Sequence, residues 1–146
     1  MNKINSKNLG NIGEACVLAE LIKMGICVYQ QFGDNERADY IIDVNEKLYR
    51  VQVKASTTYD GETVTFDLMT STTHRKNGYK HKYTKKEVDF FLCYDIKTKL
   101  VFMIDNTGDL SSAKIRYKKP KNNQTKNIRY YEDYLLTEDK IFNLVL

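Results

Sequence analysis

Four side chains and one backbone carbonyl have the types and spacing to work on a phosphodiester: Glu14, Asp39, Gln52, Lys54 and the carbonyl of Val53. Hydrolysing such a bond needs a divalent cation to neutralise the phosphate, oxygen ligands to hold it, and hydroxide with charge stabilisation at phosphorus. Asp39 offers an anionic oxygen and Gln52 a neutral one. Val53 can add its carbonyl, since it lies between two residues whose side chains face the same way. Lys54 follows Gln52 by two residues on that face, within reach of an attacking water or of developing negative charge. Glu14 can reach the cation's water shell from a helix.

These residues depend on a helix and a strand pair for their placement. Ser6 to Gly25 reads as an amphipathic helix, with Asn5 or Ser6 as N-cap and Gly25 as the stop. At 100° per residue, Val17, Leu18 and Leu21 fall within about 60° of Glu14, whereas Glu20 and Lys23 point away. Glu14 thus rides on the apolar face, where a carboxylate needs a hydrogen-bonding partner or a cation. Short apolar runs follow at Ile26–Gln30, Ala38–Val44, Lys47–Ala55, Thr63–Leu68, Val88–Asp95 and Leu100–Ile104, rich in β-branched or aromatic side chains and expected to be strands. Asn45-Glu46 and Lys97-Thr98-Lys99 are the expected hairpin turns. In the run Lys47–Ala55, alternation puts Tyr49, Val51, Val53 and Ala55 on one face and Arg50, Gln52 and Lys54 on the other. Asp39 opens the preceding strand across the hairpin, after a long loop from Gln31 to Arg37. One helix followed by a mostly consecutive β-meander implies an α+β fold, or a mixed sheet with helix cover. No element is assigned to Tyr131–Leu146.

The chain of 146 residues matches one ordinary domain, here with a basic C-terminal extension over about 106–146. Its 42% hydrophobic and 29% charged residues are those of a soluble protein, and no apolar run approaches the roughly 18 residues that cross a bilayer. The first nine residues lack the apolar stretch of a secretory signal, so a cytoplasmic location is expected. Cys16, Cys27 and Cys93 are odd in number and far apart, which fits reduced thiols. His74 and His81 have no cysteine near enough to complete a metal cage.

The net charge of +4 conceals a segregation. His74–Lys86 holds Arg75, Lys76, Lys80, Lys82, Lys85 and Lys86 with no acid, and Leu110–Tyr131 holds Lys114, Arg116, Lys118, Lys119, Lys121, Lys126 and Arg129 with none. Those thirteen leave ten basic residues against all 19 acids elsewhere, a net charge of −9. Both basic segments interleave tyrosines (Tyr79, Tyr83, Tyr117, Tyr130), as suits a surface that tracks phosphates. Lys118–Asn127, with Pro120 inside it, reads as a flexible arm.

Gly13-Glu14, Ala38-Asp39 and Val51-Gln52-Val53-Lys54 together resemble the PD-(D/E)xK nuclease superfamily. The Gln-Val-Lys form looks closest to its group I intron-encoded homing endonucleases, whose fold is similar to that of Holliday junction resolvases. The stretch Tyr83–Phe91 and the hairpin to Ile104 carry the resemblance further, so that it covers roughly residues 9 to 104. It implies a restriction-endonuclease-like core and Mg2+ as cofactor, with Mn2+ able to substitute. Asp39, Gln52, the Val53 carbonyl and Glu14 would be the metal site and Lys54 the catalytic lysine. Two positions depart from the superfamily pattern: Ala38 replaces the proline before the aspartate, and Gln52 replaces an acid, which removes a negative charge from the metal site.

Three functional classes follow from this. The first is a metal-dependent endonuclease of double-stranded DNA, of homing type, acting as a homo-oligomer (dimer or tetramer) because one small domain with one site cuts one strand. The second is a Holliday junction resolvase or defence nuclease using the same residues. The third is a non-catalytic DNA-binding module.

Overall fold

The computed structural model describes residues 4–33, 36–72, 79–119 and 128–144. The first helix, α1, spans Ser6–Lys23, and the Asn5 side chain caps it by accepting the Asn8 N–H at 2.8 Å. Gly25 leaves the helix with a φ of +77°, a left-handed conformation that glycine tolerates. Val17 and Leu21 on the inner face are fully buried, and Glu14 is half-buried, as the helical pattern requires.

Strands β1 (Cys27–Gln30), β2 (Tyr40–Val44) and β3 (Lys47–Ser56) form an antiparallel unit. Asn45 and Glu46, both at positive φ, make the two-residue turn expected between β2 and β3. The consecutive meander then breaks. β4 (Thr63–Asp67) leaves the sheet, β5 (Met69–Thr72) and β6 (Tyr79–Lys82) form a separate hairpin, and β7 (Phe90–Asp95) returns to lie parallel to β3. β8 (Val101–Asp105) completes the mixed sheet in the order β1-β2-β3-β7-β8. All six residues of β7 are buried, the mark of a strand covered on both faces.

Covering the second face is a smaller sheet, ordered β10-β9-β4, built from β9 (Ser112–Arg116), β10 (Arg129–Tyr130) and β4. β9 lies inside the segment expected to be a basic extension. Its burial alternates, with Ala113 and Ile115 inward and Lys114 exposed, so the strand contributes both to the core and to the basic surface. Two short helices, α2 (Tyr131–Tyr134) and α3 (Glu138–Phe142), follow, and Ile141 is fully buried.

Two cores result, one on each face of the central sheet. Val17 and Leu21 of α1 pack with Tyr49, Val51 and Val53 of β3 and with Phe90 and Leu92 of β7. On the opposite face Phe91 and Cys93 pack with Val64, Phe66, Ala113 and Ile115. Burial pushes the Cys93 thiol far above its ordinary pKa, so it behaves as an inert apolar group. The fold is α+β, and no described helix is long and apolar enough to cross a membrane.

Candidate active site

A helix–strand contact without an intervening side chain brings Glu14 to the end of the strand pair. A Cβ on Gly13 would lie 2.8 Å from the Cβ of Ala55, so only glycine lets α1 cross β3 this closely. The Tyr40 hydroxyl then donates to the main-chain carbonyl of Glu14 at 3.0 Å, tying the helix to β2.

Asp39 precedes the first residue of β2 rather than opening it, yet its N–H still donates to Val51 O at 2.9 Å, extending the pairing by one residue. The side chain curls back so that Oδ2 accepts the Val53 N–H at 2.9 Å. In an extended strand a residue's N–H and C=O project to the same edge, so the Val53 carbonyl also points to the side where Asp39 lies. Burial raises the Asp39 pKa to about 7. The Val53 N–H opposes that shift, the Glu14 carboxylate adds to it and the Lys54 charge opposes it. Glu14 thus lies beside a largely buried carboxyl, and its charge and hydrogen bond both favour the protonated form of Asp39.

Gln52 brings an amide to the same cleft. Its side-chain Oε1 is buried and has no hydrogen-bond partner, although such an atom is costly to leave unpaired. Two carboxylates, an amide oxygen and a backbone carbonyl would make a hard, all-oxygen donor set suited to a divalent cation. Among the described residues no three histidine, cysteine, aspartate or glutamate side chains cluster as metal ligands.

Glu14, Asp39 and Gln52 line one open cleft of about 370 Å³, together with Gln30, Gln31, Gly33, Glu36, Arg37, Thr70 and Tyr83. Lys54 is not in that lining. Its Nζ donates to the Met69 carbonyl at 2.8 Å and lies 5.0 Å from the centre of the Tyr83 ring. Tyr83, which lines the cleft, is thus the cation–π partner of Lys54. The sequence marks Tyr83 as a tyrosine of a basic segment and as the start of the stretch Tyr83–Phe91, with no sign that it meets Lys54.

The walls of the cleft are braced by side chains that spacing does not single out. Gln31 donates through Nε2 to Glu36 O and Ala38 O at 3.4 and 3.2 Å, and its Oε1 accepts the Glu36 N–H at 3.0 Å. Arg37 pairs with Glu87 at 3.3 Å and donates to Thr70 at 3.4 Å. After Tyr83 the chain turns through a reciprocal capping box, in which Thr84 N–H meets the Glu87 carboxylate and Glu87 N–H meets the Thr84 hydroxyl. Asn106 Nδ2 donates to the carbonyls of Tyr83, Thr84 and Val88 and locks this turn to β8.

The turn presents Lys85 and Lys86 to solvent, and Lys82, Lys114, Lys118 and Lys119 are exposed as well. Lys80 is paired with Asp67 at 2.8 Å, and Arg116 lies 4.0 Å from Glu62, so these two are partly neutralised. Arg75 and Lys76 lie outside the described residues, as does most of the arm expected at Lys118–Asn127.

The family model for PD-(D/E)XK endonucleases matches residues 4–137. A solved bacterial homing endonuclease, I-Ssp6803I, has a similar fold, with a TM-score of 0.71 at 24% sequence identity over 90% of this chain and 89% of that one. The α+β architecture is thus restriction-endonuclease-like. No curated protein sequence matches the chain.

Proposed function

The chain belongs to the PD-(D/E)XK endonuclease family, and from that premise we propose that it is a Mg2+-dependent endonuclease of double-stranded DNA, homing in type. The observation that carries the metal-dependent reading is the partnerless, buried Oε1 of Gln52 in the cleft that Asp39 and Glu14 also line. Asp39, Gln52, the Val53 carbonyl and Glu14 would hold the cation, with Mn2+ able to substitute. When bound, the ion supplies charge neutralisation on the phosphate and a more acidic water.

The chain's own residues do the rest. The Val53 N–H orients Asp39 and favours its carboxylate form against the burial that opposes it. Lys54, within electrostatic reach of Asp39, stabilises negative charge developing at phosphorus once its ammonium turns from Met69 toward the cleft. Arg37, on the cleft wall, and exposed Lys82, Lys85 and Lys86 engage neighbouring phosphates. One site in one domain cuts one strand, so a homo-oligomer, dimer or tetramer, makes the double-strand break.

Incubating the protein with a library of long duplexes in Mg2+, Mn2+ or EDTA and sequencing the ends tests this reading. Discrete double-strand ends that appear only with the metals and vanish in Asp39→Asn are the expected outcome. Cleavage confined to an added four-way junction would establish the resolvase reading instead. Binding with no cut under any metal would leave the non-catalytic module.

A further inference from the structure

The ring of Phe32 is entirely in water, with a relative exposure of 106%, beside a cleft whose other walls are polar. Its two neighbours, Gln31 and Gly33, both line the cleft, so the phenyl stands at the rim. The three hydrogen bonds of Gln31 hold one side of the segment, and Gly33 turns it with a φ of +81° that a side chain would strain. A single exposed apolar side chain is ordinary on a protein surface, and what singles out this ring is its place between two residues that line the cleft.

A second groove of about 560 Å³ shares Gln31, Glu36, Arg37 and Asp39 with the cleft and adds Arg50, Lys86 and Glu87, so that it sets three cations beside three acids. On the nuclease reading, a duplex whose scissile phosphate enters the cleft brings an adjoining base step to this rim. We propose that Phe32 makes apolar contact with a base face of the DNA beside the scissile phosphate, wedging into or stacking on a locally opened step. This rests on the nuclease reading of the same site and adds the residue that distorts the substrate.

The chain contains no tryptophan, so Phe32→Trp places a single indole fluorophore at the rim. The full-length chain and its Phe32→Trp, Phe32→Tyr and Phe32→Ala variants are titrated with a fluorescein-labelled duplex of mixed sequence and with its single strand, in EDTA. Anisotropy reports binding. The proposal expects saturating DNA to quench the indole emission of the Phe32→Trp variant at least twofold and Phe32→Ala to weaken binding about tenfold, with Phe32→Tyr close to wild type. Emission unmoved while anisotropy shows DNA bound would overturn this inference alone. Emission that changes with protein concentration in the absence of DNA would also overturn it, in favour of a second copy of the chain covering the ring. Failure of the wild type to bind either DNA would overturn the nuclease reading and this one with it.

Discussion

Replacing Asp39 with asparagine should make the metal-free protein more stable at alkaline pH. The unfolded carboxyl has a pKa near 3.8 and the folded one is raised to about 7, chiefly by burial, so between these values the folded state binds the extra proton. Stability conferred by the neutral form is therefore complete below pH 4 and is lost as pH rises through 7. A shift of about three units corresponds to at most ~4 kcal/mol, and the partial exposure of Asp39 reduces this to about half. Asparagine keeps an oxygen for the Val53 N–H but carries no charge. In EDTA the two proteins should unfold alike at pH 4, and by pH 8.5 the variant should be ahead by about 2 kcal/mol, or roughly 4–8 °C in Tm. Adding Mg2+ at pH 8.5 should reverse the order, since ligand at 100 times Kd stabilises the wild type by about 2.7 kcal/mol. Thermal melts at both pH values, with and without the ion, decide the matter. Parallel pH dependence in the two proteins would refute the claim that Asp39 is a buried carboxylate awaiting a cation.

Gln52→Glu should tighten metal binding and retain cleavage, whereas Gln52→Leu, which removes the unpaired oxygen, should lose cleavage yet remain folded; magnesium titrations of both separate a ligand from a bystander. Lys54→Ala should abolish cleavage with little loss of DNA affinity, which wild-type rates in the variant would contradict. Converting Lys82, Lys85 and Lys86 to glutamine should flatten the slope of log affinity against log salt by roughly 0.9 for each phosphate no longer neutralised, and an unchanged slope would mark them as merely solvated. Gly13→Val forces bulk into a 2.8 Å approach, so denaturation should show a loss of about 1–3 kcal/mol, and metal affinity should fall as α1 shifts Glu14 from the cleft.

What the sequence determined by itself is what depends on local periodicity and on residue type. Helical spacing put Glu14 on the side of Val17 and Leu21, and alternation along β3 put Gln52 opposite Val51 and Val53, because the geometry of a helix and of a strand fixes side-chain direction within a few residues. The turn at Asn45-Glu46 was legible for the same reason. Strand order was not. β7 and β4 both read as apolar runs, and nothing local says that one lies against β3 while the other crosses to a second sheet; that choice came from covering both faces of β7 at once. β9 was hidden because Lys114 and Arg116 made a half-buried strand look like a charged tail. Tertiary structure alone lodged the Lys54 ammonium on the Met69 carbonyl and against the Tyr83 ring. Both contacts join β3 to segments far along the chain, whereas the Gln31 clasp is local and was missed because hydrogen bonds within a loop leave no periodic signal.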